Sequence, residues 1–393
     1  MKSGGVVIVG GGHAAAELAA HLVQNGYEER VSIISEEDRA PYHRPPLSKG
    51  VLDGAQQPEE IALRPERFYE ERGIQLLLGR KVVRVDPQAR EVLLDDGSSV
   101  RFEKLVIATG AAPVVPPIEG ADLPGVCTLR SLEDAISLRE AFGRSSRVLL
   151  VGGGYVGLEV AASARRMGLE VAVLEAGAEV MSRSVSPTIG AFMRRIHEGK
   201  GVEMNLRARV EKIEGDSRCR GVTTADGMVH EADLVVLGVG AAPRDELGVE
   251  CGLACDRGIR VDEFGFTGVP GIHAIGDCSV IHESGRDEGL RLESVSGAVG
   301  QARRLAAHLT GRPDPGRDIF NFWTHQYDYK VQVAGLPGGD WATEIAGNMD
   351  EGAFAVYHTD EEGRVQVVEA VNQPSAFVRG KAAIRKGAPV PGG

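Results

Sequence analysis

Two glycine clusters, each sitting between apolar runs of strand length, constrain this chain more than any other feature. Val6-Val-Ile-Val9 leads into Gly10-x-Gly12-x-x-Ala15, an apolar-periodic stretch from Glu17 to Leu22, and a second apolar run from Val31 to Ile34 that closes in Glu36. The pattern returns with Val148-Leu-Leu-Val151, Gly152-x-Gly154-x-x-Gly157, a helical stretch to Met167, and Val171 to Leu174 closing in Glu175. Each unit predicts strand, tight turn, helix and parallel strand. The first glycine makes the turn, the second lets a pyrophosphate approach the backbone, and the third small residue lets helix and strand pack closely. Unpaired N–H groups at the helix start then face the phosphates, and the closing carboxylate accepts from ribose hydroxyls. Two such units predict an α/β protein with two Rossmann-like dinucleotide-binding domains.

The remaining signals fit around these units. Val106-Ile-Ala108-Thr109-Gly110 and Ala232 to Gly240 each read as a buried strand ending in a small-residue turn, suited to returning the chain from one nucleotide domain to the other. Ile272-His-Ala-Ile275-Gly276-Asp277 is another buried strand ending in Gly-Asp. From about Asn321 the pattern changes to alternating segments, Lys330 to Ala334, Ala353 to Tyr357 and Val365 to Ala370, which predict a smaller α+β domain with a frayed tail from Gly387.

Composition narrows the function classes. The 393 residues carry a net charge of −12, which disfavours nucleic acid as a partner. The 52 glycines are about twice the usual share of ~7%, as a chain with many special backbone positions requires. No apolar run approaches the length of a membrane span, and the strand beginning at Val6 leaves no room for a cleavable signal. The 5 cysteines form no disulfide framework. A cytoplasmic protein is expected. Cys251 and Cys255, with His273 and Cys278 downstream, match no common zinc spacing and read as buried thiols, so no metal is expected.

The order of these signals resembles the two-dinucleotide flavoprotein reductases, and most closely the NADH-dependent ferredoxin reductases of multicomponent oxygenases. Pro41-Tyr-His-Arg-Pro-Pro-Leu-Ser-Lys49, Gly152 to Glu159, Met181-Ser-Arg183, Ala274-Ile-Gly-Asp-Cys278, Glu293 to Ala302 and Phe322-Trp323 carry the resemblance. It implies FAD-binding residues at 1–112 and 242–319, an NAD-binding domain at 113–241 and a C-terminal domain at 320–393. It implies that Gly10, Gly12, Ala15 and Glu36 hold the adenosine half of FAD, with His13 and Ala14 also cofactor-binding. Val82, Ala108, Thr109, Gly110, Gly276, Asp277, Glu293, Ser294 and Val295 are implied as further cofactor-binding residues, with Asp277 on the ribityl chain of FAD. Arg44, Lys49 and Trp323 would serve the flavin. Gly152, Gly154, Tyr155, Val156, Gly157, Glu159, Glu175 and Gly240 would line the NAD(H) site. Lys49 and Glu159 are the candidate catalytic pair.

The chemistry this implies is hydride transfer from NADH to flavin N5, then single electrons to a [2Fe–2S] ferredoxin serving a ring-hydroxylating dioxygenase or a P450. Related disulfide reductases carry an early cysteine or cysteine pair; this chain has none before Cys127, so electrons would leave the flavin directly. Glu175 would accept from the ribose 2′-hydroxyl and repel a 2′-phosphate, which favours NADH, with Arg183 as a partial offset. A rubredoxin reductase, an apoptosis-inducing-factor-like NADH oxidoreductase passing electrons to quinone or oxygen, and an NAD(H) sensor are the alternatives. The family suggests a monomer or weak homodimer. Arg303, Arg304, Arg312, Arg317 and Lys330 outnumber the nearby acids and offer a modest basic docking patch, or the solvated face of a helix from Gln301 to Leu309. Asn321, His325 and Gly297 depart from the family pattern.

Overall fold

The computed structural model describes residues 4–282, 289–336, 338–339 and 341–391. The chain forms two compact units, one from residues 1–43, 61–112 and 242–318, the other from 44–60, 113–241 and 319–393.

The first unit is built on a five-stranded parallel sheet. Its strands run in the order Ile272–Ala274, Lys104–Ile107, Val6–Val9, Val31–Ile34, Ile74–Leu77. Val6–Val9 is buried at every position, as a parallel strand covered on both faces must be. Val6 and Ile8 pack under the helices His13–Gln24 and Val295–Leu309, while Val7 and Val9 meet Val82, Val85 and Val92 of an antiparallel three-stranded sheet. The two helices touch through alanine stripes, Ala15 and Ala19 on one and Ala298, Ala302 and Ala306 on the other.

The second unit repeats this plan. Its parallel sheet runs Val202–Leu206, Glu170–Glu175, Arg147–Val151, Leu234–Leu237, Val126–Cys127. Val148 and Leu150 face the helices, and Leu149 and Val151 face an antiparallel three-stranded sheet through Ile213 and Val222. The fold class expected from the glycine clusters is therefore what the chain adopts.

An antiparallel five-stranded sheet completes this unit, in the order Asn321–Gln326, Tyr329–Ala334, Val365–Val371, Ala353–Thr359, Ala342–Asn348. One face, with Val331, Val333, Phe354 and Val356, joins the core around Leu158 and Phe192. The other is covered by the helix Pro374–Lys386, which starts with proline in its first turn and stops at Gly387 in the left-handed region (φ 59°). The segment 44–60 packs here as well, with Leu52 wholly buried in the same core.

Candidate active site

In the first unit Gly10, Glu36, Thr109, Gly110, Gly276 and Asp277 follow the carboxyl ends of adjacent parallel strands, where doubly wound sheets bind nucleotides. Gly10 follows Val9 with φ +123°, and a Cβ there would stand 2.2 Å from the Ala108 carbonyl oxygen, so no other residue fits. Gly12 caps the helix His13–Gln24 with extended backbone, and no side chain caps this end. A Cβ at Gly12 would point into open space, and Ala15 is wholly buried beneath the turn. Thr109 and Gly110 leave the end of the Lys104–Ile107 strand, and the Thr109 hydroxyl donates to the Arg244 carbonyl oxygen at 2.6 Å. The Arg244 guanidinium in turn holds Glu36 through both carboxylate oxygens, one contact being 3.0 Å.

Gly276 (φ +79°) turns the chain after the Ile272–Ala274 strand and delivers Asp277 to this end of the sheet. Its N–H donates to Oε1 of the buried Gln301 at 2.9 Å, and the Ser279 hydroxyl donates to the same atom at 3.0 Å. Gln301 was not among the residues singled out from the sequence, although it holds the Gly276 turn. Ser294 caps the helix Val295–Leu309 by accepting from the Gly297 N–H at 3.0 Å, and Glu293 just ahead pairs with Arg291. Gly297 has a local reason: a Cβ would lie 2.7 Å from the Leu292 Cβ. His13 and Ala14 are buried in the first turn, and Val82 lies in the core of the three-stranded sheet.

The second unit forms a matching cradle. Gly152 has φ +102° with the Gly238 carbonyl oxygen 2.5 Å from where a Cβ would be. Gly154 caps the helix Tyr155–Arg166, again with no side-chain cap and with open space where a Cβ would point. A Cβ on Gly157 would stand 2.3 Å from the Gly152 carbonyl oxygen, which explains glycine as the third small residue here. Glu175 accepts from the N–H groups of Gly153 (2.7 Å) and Gly177 (2.6 Å), so its carboxylate is fixed at the lip of the turn. Tyr155 packs edge-on against Phe322 with centroids 4.9 Å apart, and burial pushes its phenol well above its ordinary pKa. Val156 is exposed beside it, and Gly240 (φ +124°) follows the Leu234–Leu237 strand. Arg183 donates to the Val239 carbonyl oxygen at 3.2 Å. Both cradles thus fit a dinucleotide on grounds of backbone geometry.

The second unit also brings Lys49 and Glu159 together across 110 residues of sequence. Pro45–Ser48 forms one short 3₁₀ turn that presents Ser48 and Lys49 to the helix Tyr155–Arg166. The Lys49 ammonium lies 2.6 Å from Glu159 Oε2 and donates to the Pro45 carbonyl oxygen at 3.0 Å. Ser48 Oγ donates to the same Glu159 oxygen at 2.5 Å, and Thr324 Oγ1 donates to Oε1 at 2.6 Å. An ammonium has three donors, so Lys49 has one N–H beyond these two partners. Arg44 donates to the Arg130 carbonyl oxygen at 2.7 Å. Trp323 is 40% exposed and His325 is also exposed, on the opposite face of their strand from Thr324 and Gln326.

Arg304 drops out of the expected basic patch. The helix runs from Val295, and Arg304 is only 7% exposed, held by Asp314 (2.7 Å) and Glu263 (3.1 Å) and lying 4.8 Å over the Phe264 ring. Arg303 pairs with Asp318 at 3.1 Å, and Arg312 donates to the Asn25 carbonyl oxygen at 2.9 Å. Neither the docking reading nor the solvated-face reading of Arg304 survives, because its charge is neutralised inside the fold.

A fold of this kind, with two parallel-sheet units each carrying a glycine cradle closed by glutamate, defines a pyridine-nucleotide oxidoreductase. Residues 4–302 match the family described as pyridine nucleotide-disulphide oxidoreductase, and residues 321–392 match the reductase C-terminal domain. The chain is 40% identical to rhodocoxin reductase of Rhodococcus erythropolis, over 94% of this chain and 86% of that protein. It is 37% identical to the ferredoxin–NAD(+) reductase subunit of the benzene 1,2-dioxygenase system of Pseudomonas putida, over 95% and 90%. The crystal structure of the covalent putidaredoxin reductase–putidaredoxin complex matches with TM-score 0.92 and 34% identity, covering 97% of this chain and 93% of that one. The chain belongs to the pyridine nucleotide-disulphide oxidoreductase family and, within it, to the ferredoxin reductases that use FAD and NAD(H). Among the described residues no helix is long and apolar enough to cross a membrane.

Proposed function

We propose that this chain is a cytoplasmic NADH:ferredoxin reductase that supplies a dioxygenase or P450 through a [2Fe–2S] ferredoxin. The observation that carries the reading is the pair of glycine cradles, one per unit, in a chain with no cysteine before Cys127. When bound, FAD accepts a hydride from NADH and passes electrons on singly, which lets a two-electron donor serve a one-electron carrier.

The protein's part is binding, orientation and charge. Gly10, Gly12, Ala15 and Glu36 hold the adenosine half of FAD, and the turns at Thr109-Gly110 and Gly276-Asp277 hold its centre. Gly152, Gly154, Gly157 and Glu175 hold NADH. A fixed carboxylate at Glu175 accepts from a ribose hydroxyl and repels a phosphate, so NADH is preferred over NADPH. Lys49, anchored by Glu159, keeps a positive charge and one N–H donor at the redox-active end of the cofactors, with Arg44 and Trp323 supporting it. No side chain acts as a nucleophile, so the rate depends on positioning and on exclusion of water.

The test is an absorption spectrum of the purified protein, followed anaerobically after one equivalent of NADH. Flavin bands that bleach within about a second, and far more slowly with NADPH, support the reading. Flavin that neither nucleotide reduces refutes it.

A further inference from the structure

Glu159 is the end of a chain of buried polar side chains that the electron-transfer reading does not use. Beyond Thr324, Gln326 Nε2 donates to Thr324 Oγ1 at 3.0 Å. Gln326 Oε1 lies 2.7 Å from His197 Nε2, and Tyr327 OH lies 3.4 Å from His197 Nδ1. Glu159, Thr324, Gln326 and His197 are all buried, the last three completely. A run of this kind inside a core is costly unless every member is satisfied, so its sense matters.

That sense follows from one charge. Glu159 faces the Lys49 ammonium and the Ser48 hydroxyl, so as a carboxylate it only accepts. Thr324 must therefore give its single proton to Glu159 and accept from Gln326. This turns the amide nitrogen of Gln326 toward Thr324 and its oxygen toward His197. His197 must then carry its proton on Nε2, which leaves Nδ1 bare to accept from Tyr327. Burial pulls the His197 pKa down to about 4 against the opposing hydrogen bond to Gln326, so the ring is neutral near pH 7 and has one proton to place. Tyr327 is held at φ +53°, a backbone region a bulky residue rarely adopts, with its ring edge-on to His197 at 5.0 Å.

We propose that Thr324, Gln326 and His197 are positioning residues for Glu159, a one-way hydrogen-bond chain that fixes the Lys49–Glu159 pair for electron entry from NADH. The proposal rests on the role given to Lys49 above. It ties the C-terminal domain, through Thr324 and Gln326 on one strand, to a step that occurs at the nucleotide-binding residues of the same unit.

Two measurements test it. Long-range 1H–15N correlation on protein labelled with 15N-histidine, with His197 assigned by signal loss in H197N, should show the Nε2–H tautomer. T324V should convert it to a mixture of tautomers. The Nδ1–H tautomer in the wild-type protein, or an unchanged tautomer in T324V, overturns the chain. In anaerobic stopped flow, T324V should reduce its flavin about tenfold more slowly at saturating NADH with unchanged NADH affinity, and T324S should recover most of the rate. K49A separates the two readings. If K49A is slow and T324V is not, the chain alone is refuted; if K49A also runs at the wild-type rate, the role of Lys49 fails and this proposal falls with it.

Discussion

Replacing Arg304 by methionine asks whether its charge belongs to the fold or to a partner. The side chain makes four hydrogen bonds: Nε and Nη2 to the two Asp314 oxygens (2.9 and 2.7 Å), Nη1 to the Glu263 carbonyl oxygen (3.0 Å), and Nη2 to the Glu263 carboxylate (3.1 Å). Methionine keeps most of the buried stem contact with the helix core but supplies none of these donors. A hydrogen bond to a charged group contributes about 1.5–3 kcal/mol when buried. Asp314 and Glu263 are themselves partly exposed, so water replaces much of what they lose. A net loss of about 2–3 kcal/mol is expected, below the ~3–5 kcal/mol for breaking a fully buried pair. Differential scanning calorimetry should show a lower first thermal transition, and the salt dependence of ferredoxin reduction should match the wild-type curve. An unchanged transition together with a flattened salt dependence would refute the assignment and restore Arg304 to the docking surface.

Other predictions follow from the cradles and from two buried histidines. G10A places a methyl group against the Ala108 carbonyl oxygen at a positive φ, so it should purify with about a tenth of the wild-type flavin or less, read from the visible spectrum. G157A should keep its flavin but weaken NADH binding by about tenfold or more, measured by titration, because the helix can no longer approach the Gly152 turn. E175Q should lower the ratio of NADH to NADPH efficiency by about tenfold in steady-state assays; an unchanged ratio would remove Glu175 from selectivity. His197 and His273 are each lowered by burial to about 4. The unfolded chain therefore binds more protons between about pH 6.5 and 4, and folding stability is complete above that window and falls as the pH drops through it, by on the order of 3 kcal/mol per histidine. Denaturant unfolding at pH 7 and pH 4.5 checks this, and equal stabilities would contradict the burial of both rings.

Legibility in the sequence tracked how local the cause was. Gly10, Gly152 and Gly157 are dictated by carbonyl oxygens one turn or one strand away, and the spacing of short-range units carries that information. The helix Pro374–Lys386 was not expected from the sequence, although Pro374, the basic Arg385-Lys386 end and Gly387 are local start and stop signals for it. Arg304 was unreadable for a different reason. Its partners lie 41 residues before and 10 after it, and a charge on a helix beside two alanine-lined faces looks solvated until the loop carrying Glu263 is seen to cover it.

The strand Asn321–Gln326 shows the same limit at the site itself. Phe322 and Trp323 are the residues that hydrophobicity marks in it, and nothing local marks Thr324 and Gln326. Its last four residues put Trp323 and His325 outside and Thr324 and Gln326 wholly inside. A buried Thr and Gln are tolerable only because a carboxylate waits at one end to accept and a neutral histidine at the other to donate. Glu159, Thr324, Gln326 and His197 therefore account for one another, and no one of them is interpretable alone. Polar residues that break the alternation of a strand are the places where a sequence encodes an arrangement shared with distant elements, and here that arrangement ends at the Lys49 ammonium.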